Sequence, residues 1–113
     1  VIDDAELEAL LSTRGVSAWL SGHHHAYYPG WRDGIAMLST GNLAGNRRPL
    51  LGEVEPATDF SFSWMEVYDN GEFTIHALAG SDFTAPVDAA TLPPSLGNGR
   101  HTLRRFDLAP LNR

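Results

Sequence analysis

The 113-residue chain has the length of one small domain, and its 42% hydrophobic content is ordinary for a globular protein. It has no cysteine, which excludes disulfides, thiolate metal sites and cysteine nucleophiles. Its formal net charge of −6 argues against nucleic-acid binding, and no apolar run approaches the roughly 20 residues of a membrane helix. We expect no membrane segment, and since no signal peptide begins at Val1, the localisation stays open.

The chain begins with a predicted helix over residues 3–15. Asp3 and Glu6 have the spacing of a capping box, and Gly15 can end the helix. An apolar stripe along the helix is formed by Leu7, Leu10 and Leu11. Residues 16–20 follow as a short apolar run bounded by glycines, which predicts a buried strand.

Three consecutive histidines, His23, His24 and His25, leave from the C-terminal end of that strand. Helix–strand folds usually bind ligands at this end of a strand. In an extended segment alternate side chains point the same way, so His23 and His25 can face one site while His24 faces away. Two imidazoles cannot complete a catalytic metal site, so further ligands must come from elsewhere. The other two histidines are expected to be structural (His76) or exposed (His101).

The middle of the chain predicts strands and turns. Residues 26–34 have the proline and glycine content of a folded-over loop, residues 35–39 form a second short strand, and residues 41–59 form a long loop. Residues 60–80 predict a β-hairpin, because Asn70-Gly71 favours a two-residue type I′ turn. That turn would pair Tyr68 with Phe73, Trp64 with Ala77, and Met65 with His76.

After Gly80, prolines at positions 86, 93, 94 and 110 are expected to break up any regular element. We therefore predict an α+β fold with one helix, short strands and a hairpin over residues 1–80, and an irregular extension over residues 81–113. One helix and about four strands leave the far face of the short strands uncovered. The pattern indicates part of a larger fold.

The sequence Gly22-His23-His24-His25, with a hydrophobic strand before it and Tyr27 after it, resembles the C-terminal Gly-His-x-His signature of the calcineurin-like metallophosphoesterases. The resemblance implies the C-terminal part of an αββα sandwich. It also implies two divalent or trivalent transition metals, such as Mn, Fe, Zn or Ni, one bound by His23 and the other by His25. Such a metal pair activates water for attack on phosphorus.

The family's earlier motifs are absent from the chain. Asp-x-His, Gly-Asp-x-x-Asp and Gly-Asn-His-Asp or Gly-Asn-His-Glu supply most of the family's ligands and its catalytic histidine, whereas here Gly41-Asn42 runs into Leu43. We therefore assign no catalytic residue to this chain. We expect part of a phosphatase or phosphodiesterase that needs an N-terminal half to act on a phosphoester, so this chain alone should be inactive.

Two further residues are candidate substrate contacts. Arg32 could bind phosphate oxygens through its guanidinium group, and Tyr27 could form a wall of the cleft. The alternatives are a surface arginine and an aromatic ring that packs under the loop. The alternative to an enzyme is a non-enzymatic β-rich interaction module, in which the aromatic hairpin binds a partner and the histidines bind metal adventitiously.

Overall fold

A computed structural model of the chain describes residues 4–44, 50, 59–97 and 102–108. Within these residues the predicted α+β class is confirmed, with one α-helix and eight short strands in two sheets. The helix is α1 (Ala5–Thr13) and the strands are β1 (Ala18–Ser21), β2 (Tyr28–Arg32), β3 (Ile35–Ser39), β4 (Ser61–Val67), β5 (Phe73–Ala79), β6 (Ala85–Pro86), β7 (Ser95–Leu96) and β8 (Leu103–Arg105). No helix in this part of the chain is long and apolar enough to cross a membrane.

Helix α1 has defined caps at both ends. Its N-cap is Asp4 rather than the predicted Asp3, and the Asp4 carboxylate accepts hydrogen bonds from the backbone N–H groups of Glu6 and Leu7 at 3.0 and 3.1 Å. Gly15, with a φ of 74°, ends the helix as predicted. The N–H of Val16 donates to the Leu11 carbonyl, which completes a Schellman motif.

The predicted leucine stripe is not the face that α1 buries. Leu7 and Leu10 are exposed, although Leu11 packs against the core. Glu8 is buried instead, and its two carboxylate oxygens accept hydrogen bonds from Arg32 at 3.0 and 2.7 Å. The Glu8–Arg32 ion pair therefore joins α1 to the rest of the chain, whereas the leucine stripe predicted an apolar contact.

The larger sheet has the strand order β1-β3-β2-β8-β7, with β1 parallel to β3 and the other pairs antiparallel. Strand β1 lies at its edge and is half-exposed, with 60% of Leu20 accessible to solvent. The strand predicted over residues 16–20 is therefore present as β1 over residues 18–21, but the prediction that it is buried is wrong. The strand over residues 35–39 is confirmed as β3, and its apolar residues are buried on both faces of the sheet.

Residues 28–34 form a strand and a turn rather than the predicted folded-over loop. Strand β2 pairs with β3 along its whole length. Asp33 and Gly34 connect them with φ values of 54° and 79°, both positive as a type I′ turn requires. Pro29 is tolerated because the pairing with β8 involves its neighbours Gly30 and Trp31.

Strands β4 and β5 form the predicted hairpin, but the register differs by one residue. Trp64 lies opposite His76, and Met65 lies opposite Ile75. Gly71 has a φ of 86° and its N–H donates to the Tyr68 carbonyl at 2.9 Å, whereas Asn70 keeps a negative φ. The connection is therefore a type I turn followed by a glycine bulge, not a two-residue type I′ turn.

The chain beyond Gly80 contributes to both sheets, so the predicted irregular extension is wrong for the residues that the structure describes. Strand β6 extends the hairpin into a sheet of order β4-β5-β6, and β7 and β8 extend the larger sheet. Pro86 ends β6, and Pro93 and Pro94 lie before β7, where no ladder hydrogen bond is lost; Pro110 lies outside the described residues. Leu96 and Leu103 are buried in the core.

Two hydrophobic clusters cover the two faces of the larger sheet. One includes Tyr28, Ile35 and Met37, and Leu11 of α1 packs against it. The other joins Leu38 of β3 to Ala77 of the smaller sheet, with Tyr27 beside them. Alternate residues of β3 thus serve opposite clusters, and the layers follow one another as helix, larger sheet and smaller sheet.

Candidate functional site

The histidine segment is a turn at the carboxyl end of β1 in the larger sheet. Because β1 and β3 are parallel, their carboxyl ends meet at the same edge. The N–H of Thr40 donates to the Ser21 carbonyl at 3.0 Å, and its Oγ1 donates to the same carbonyl at 3.2 Å. The segment over residues 22–25 therefore lies beside the loop over residues 40–42. Both follow the carboxyl ends of their strands, which is where such sheets bind ligands.

The backbone of this turn is not extended. His23 has a φ of 76° and His25 a φ of 67°, in the left-handed region that residues other than glycine rarely occupy. The predicted extended geometry is therefore wrong, and the i, i+2 spacing no longer argues that these two side chains share one site. Such strained residues persist where the surrounding structure fixes them, and they concentrate at functional sites.

The three histidines differ in their surroundings. His23 is exposed, while His24 and His25 are half-buried. His24 lines a small, mainly apolar cavity on the helix side of the sheet, together with Trp19, Tyr28 and Met37. This position favours a structural role for His24. The exposure of His23 leaves it accessible to an ion from solvent.

Hydrogen bonds anchor the chain where it leaves the histidine turn. The hydroxyl of Ser39 donates to the carbonyl of the fully buried Ala26 at 2.7 Å. The Tyr28 hydroxyl donates to the Pro93 carbonyl at 2.8 Å, and burial raises the pKa of Tyr28 to about 12. The turn is therefore fixed to β3 and to the segment before β7.

The neighbouring loop contains a close contact that sequence reasoning missed. A Cβ at Gly41 would overlap the Ser61 hydroxyl and lie 3.2 Å from the Ser61 Cβ. The N–H of Ser61 donates to the Asn42 carbonyl at 3.0 Å, which ties the end of β3 to the start of β4. The available signal was a glycine two residues after a predicted strand, since glycine permits such a close approach.

The described residues do not complete a metal site. Among residues 4–44, 50, 59–97 and 102–108, no three His, Cys, Asp or Glu side chains lie together as a group that could hold a metal ion. A catalytic metal needs at least three protein ligands, so the described residues of the histidine turn do not by themselves supply a catalytic metal site. His76 is half-buried in β5 as predicted, and His101 lies outside the described residues.

The two residues predicted as substrate contacts at the histidine turn are both buried and have structural contacts. Arg32 is buried in its ion pair with Glu8, so its guanidinium is neither a phosphate contact there nor a surface group. Tyr27 is buried with Leu38 and Ala77 between the sheets, as the alternative of packing under the loop predicted. Burial raises the pKa of Tyr27 to about 12, which keeps its hydroxyl neutral.

The candidate site is therefore a histidine turn at the carboxyl ends of two parallel strands, without a complete set of metal ligands in the described residues. The chain matches no protein-family model, no curated protein and no solved structure.

Proposed function

We propose that this chain is the C-terminal part of a calcineurin-like metallophosphoesterase domain, in which His23 and His25 bind a dinuclear transition-metal centre. The position of the Gly-His-x-His motif carries the proposal. It begins directly after β1, beside the end of a parallel neighbour, and both outer histidines have positive φ. The motif thus lies at the carboxyl ends of two parallel strands, where such sheets bind ligands, and its backbone is strained.

The order of the layers also supports the proposal. Helix, larger sheet and smaller sheet are three of the four layers of an αββα sandwich. The Ser17 carbonyl accepts a hydrogen bond from Ala36 of β3, and the Ser21 carbonyl accepts one from Thr40 directly after β3. The backbone groups of Ala18 and Leu20 therefore point to the other side of β1, where no described strand pairs with them. A larger sheet could continue from this edge.

The role proposed for the chain is limited to supplying ligands. Neutral imidazole nitrogens suit Fe, Zn and Ni, whereas Mn would depend more on oxygen ligands from elsewhere in the protein. When bound, the two metals would supply an activated water for phosphoester hydrolysis. Since the described residues offer no group of three ligands, the remaining ligands must come from elsewhere in the protein. In the proposed enzyme, the N-terminal half of the domain supplies them.

The proposal is tested in the protein that contains this chain together with its N-terminal half. His23→Ala and His25→Ala should each remove metal and lower phosphodiester turnover by more than the roughly 10- to 100-fold that losing an outer-shell partner costs. His24→Ala should lose far less, because His24 lies against the apolar cavity. Metal content by mass spectrometry and hydrolysis of bis(p-nitrophenyl) phosphate measure both effects.

His76→Ala is the matched control, because it removes an imidazole from β5 rather than from the histidine turn. It should retain full metal content and turnover. Equal losses in all three variants of the turn, or full activity in His23→Ala, would show that the motif is not a ligand pair.

A further inference from the structure

The outer face of the smaller sheet carries a row of four aromatic rings: Phe83, Phe62, Trp64 and His76. Neighbouring ring centroids along this aromatic row are 5.9, 6.3 and 4.9 Å apart. Trp64 and His76 stack with an interplanar angle of 22°. Phe62 and Trp64 are 39% and 38% exposed, so the row is accessible rather than part of the core.

The strand register places this row on the face of the smaller sheet opposite to the buried Ser61 and Ala77. Phe62, Trp64 and Glu66 alternate along β4 on one face, and His76 lies opposite Trp64 on β5. The other face of β4 carries Ser61, which is buried. A sheet with one solvated face normally directs its large apolar residues inward, whereas β4 directs its two aromatic rings outward. Exposed apolar surface of this kind marks an interaction site.

The segment that carries the aromatic row has formal charges of one sign. Residues 59–88 contain no arginine or lysine and six acidic residues: Asp59, Glu66, Asp69, Glu72, Asp82 and Asp88. At one end of the row, a Glu66 carboxylate oxygen lies 3.2 Å from His76 Nε2, and its side chain is half-exposed. At the other end, Asp82 directly precedes Phe83. The rings therefore lie between carboxylates.

The His76 end of the row borders a cleft between the smaller sheet and the rest of the chain. Trp64 and His76 line it together with Tyr27, Phe106 and Asp107. The cleft thus combines aromatic walls with a further carboxylate, which already accepts a hydrogen bond from Arg105 Nε at 2.7 Å. A long side chain lying along the row would reach the mouth of this cleft.

We propose that the aromatic row binds an arginine-bearing segment of a basic partner protein. A guanidinium group stacks on aromatic faces and is more weakly hydrated than an ammonium group, and tryptophan is the strongest aromatic partner for a cation. The carboxylates beside the row add charge-assisted hydrogen bonds. A nucleic acid is disfavoured, because the segment that carries the row has six acidic residues and no arginine or lysine to pair with phosphates.

This surface is separate from the histidine turn, so peptide binding and metal-dependent turnover can be lost independently of each other. It gives the chain a recognition site on β4 and β5, whereas the histidine turn follows β1.

The test titrates the 113-residue chain with a short labelled peptide of alternating glycine and arginine, and with the lysine and glutamate counterparts of that peptide. The arginine peptide should bind most tightly, the lysine peptide more weakly, and the glutamate peptide not at all. Trp64→Ala should weaken binding about tenfold, whereas Trp64→Phe should keep most of the affinity because it retains a ring. Fluorescence anisotropy measures the affinity, and amide chemical shifts locate the binding surface.

Val67→Ala is the matched control, since Val67 is 71% exposed on the same strand but on the opposite face. Its affinity should equal that of the parent chain, while Glu66→Gln should weaken binding and reduce its salt dependence. Phe62→Ser provides a second variant of the row if Trp64→Ala does not fold.

Three results would overturn the inference. The first is equal affinity for the arginine and glutamate peptides, and the second is unchanged affinity when both Trp64→Ala and Phe62→Ser fold. The third is self-association of the peptide-free chain that either variant abolishes, which would assign the row to a second copy of this chain.

Discussion

At the residue scale, the buried pair Glu8–Arg32 joins α1 to the end of β2. Two hydrogen bonds link the guanidinium to the carboxylate, and both side chains are more than nine-tenths buried. Removing one partner would leave an uncompensated charge inside the fold, whereas replacing both by apolar groups is often neutral or stabilising. The pair therefore fixes the helix position more than it adds net stability.

We predict that Arg32→Met lowers the free energy of unfolding by about 3 kcal/mol, because Glu8 is left without its cation. The double variant Glu8→Leu, Arg32→Met should recover most of this loss. Arg104→Met is the control, since Arg104 is exposed on β8 and its replacement should change stability by less than about 0.5 kcal/mol. Urea unfolding measures all three, and equal midpoints for Arg32→Met and Arg104→Met would contradict the structural role.

The position of Arg32 could have been predicted from one signal that was available. Asp33-Gly34 is a hairpin dipeptide, and interpreting it as a turn places Arg32 at a strand end instead of in a loop. Histidine is among the non-glycine residues enriched at positive φ, but three identical residues in a row do not indicate which of them adopt it, so the conformation of His23 and His25 could not have been predicted. That conformation depends on the buried contacts on either side of the turn.

At the element scale, two hairpins with similar turn sequences close differently. The two-residue type I′ geometry predicted for Asn70-Gly71 occurs instead at Asp33-Gly34. Both loop types place glycine at positive φ, so the dipeptide alone does not distinguish a two-residue from a three-residue connection. Because side chains alternate with a period of two, the one-residue shift pairs Trp64 with His76 and creates the aromatic row.

We predict that Gly71→Val destabilises the chain by about 1 kcal/mol or more, because a β-branched residue is strained at a φ of 86°. Gly71→Asn should cost less, since asparagine tolerates this region. Asn70→Ala should cost only about 0.5–1 kcal/mol, the contribution of the hydrogen bond from the Glu72 N–H to the Asn70 side chain. Thermal unfolding midpoints compare the three, and a loss at Asn70 as large as that of Gly71→Val would favour the two-residue turn.

At the scale of the whole molecule, local signals predicted the elements, but not the way the chain returns to the larger sheet. Helix α1, strand β3, the β4–β5 hairpin and the histidines after β1 each follow from a pattern within a few residues. Strand β8 pairs Arg105 with Gly30, and β7 and β8 have two and three residues. Strands this short are too brief to show an alternation of apolar and polar residues, so the burial of Leu96 and Leu103 could not be predicted.

The histidine turn follows β1, an outermost strand of the larger sheet with which a further strand could pair. Strand β1 is at the end of the larger sheet, and the described residues supply no neighbour on its outer side. It carries neither a charged residue nor a proline, the usual means of blocking an exposed edge. This arrangement supports a centre that is completed by the N-terminal half of the proposed domain.

The most direct test of this account measures metal-dependent hydrolysis of bis(p-nitrophenyl) phosphate by the purified 113-residue chain, with and without the N-terminal half as a separate polypeptide. With Mn²⁺ or Zn²⁺ present, we predict no turnover by the chain alone, turnover by the mixture, and loss of that turnover in His23→Ala. Turnover by the isolated chain that disappears in His23→Ala would contradict the account, because it would show a complete enzyme; so would a folded mixture that binds metal but remains inactive.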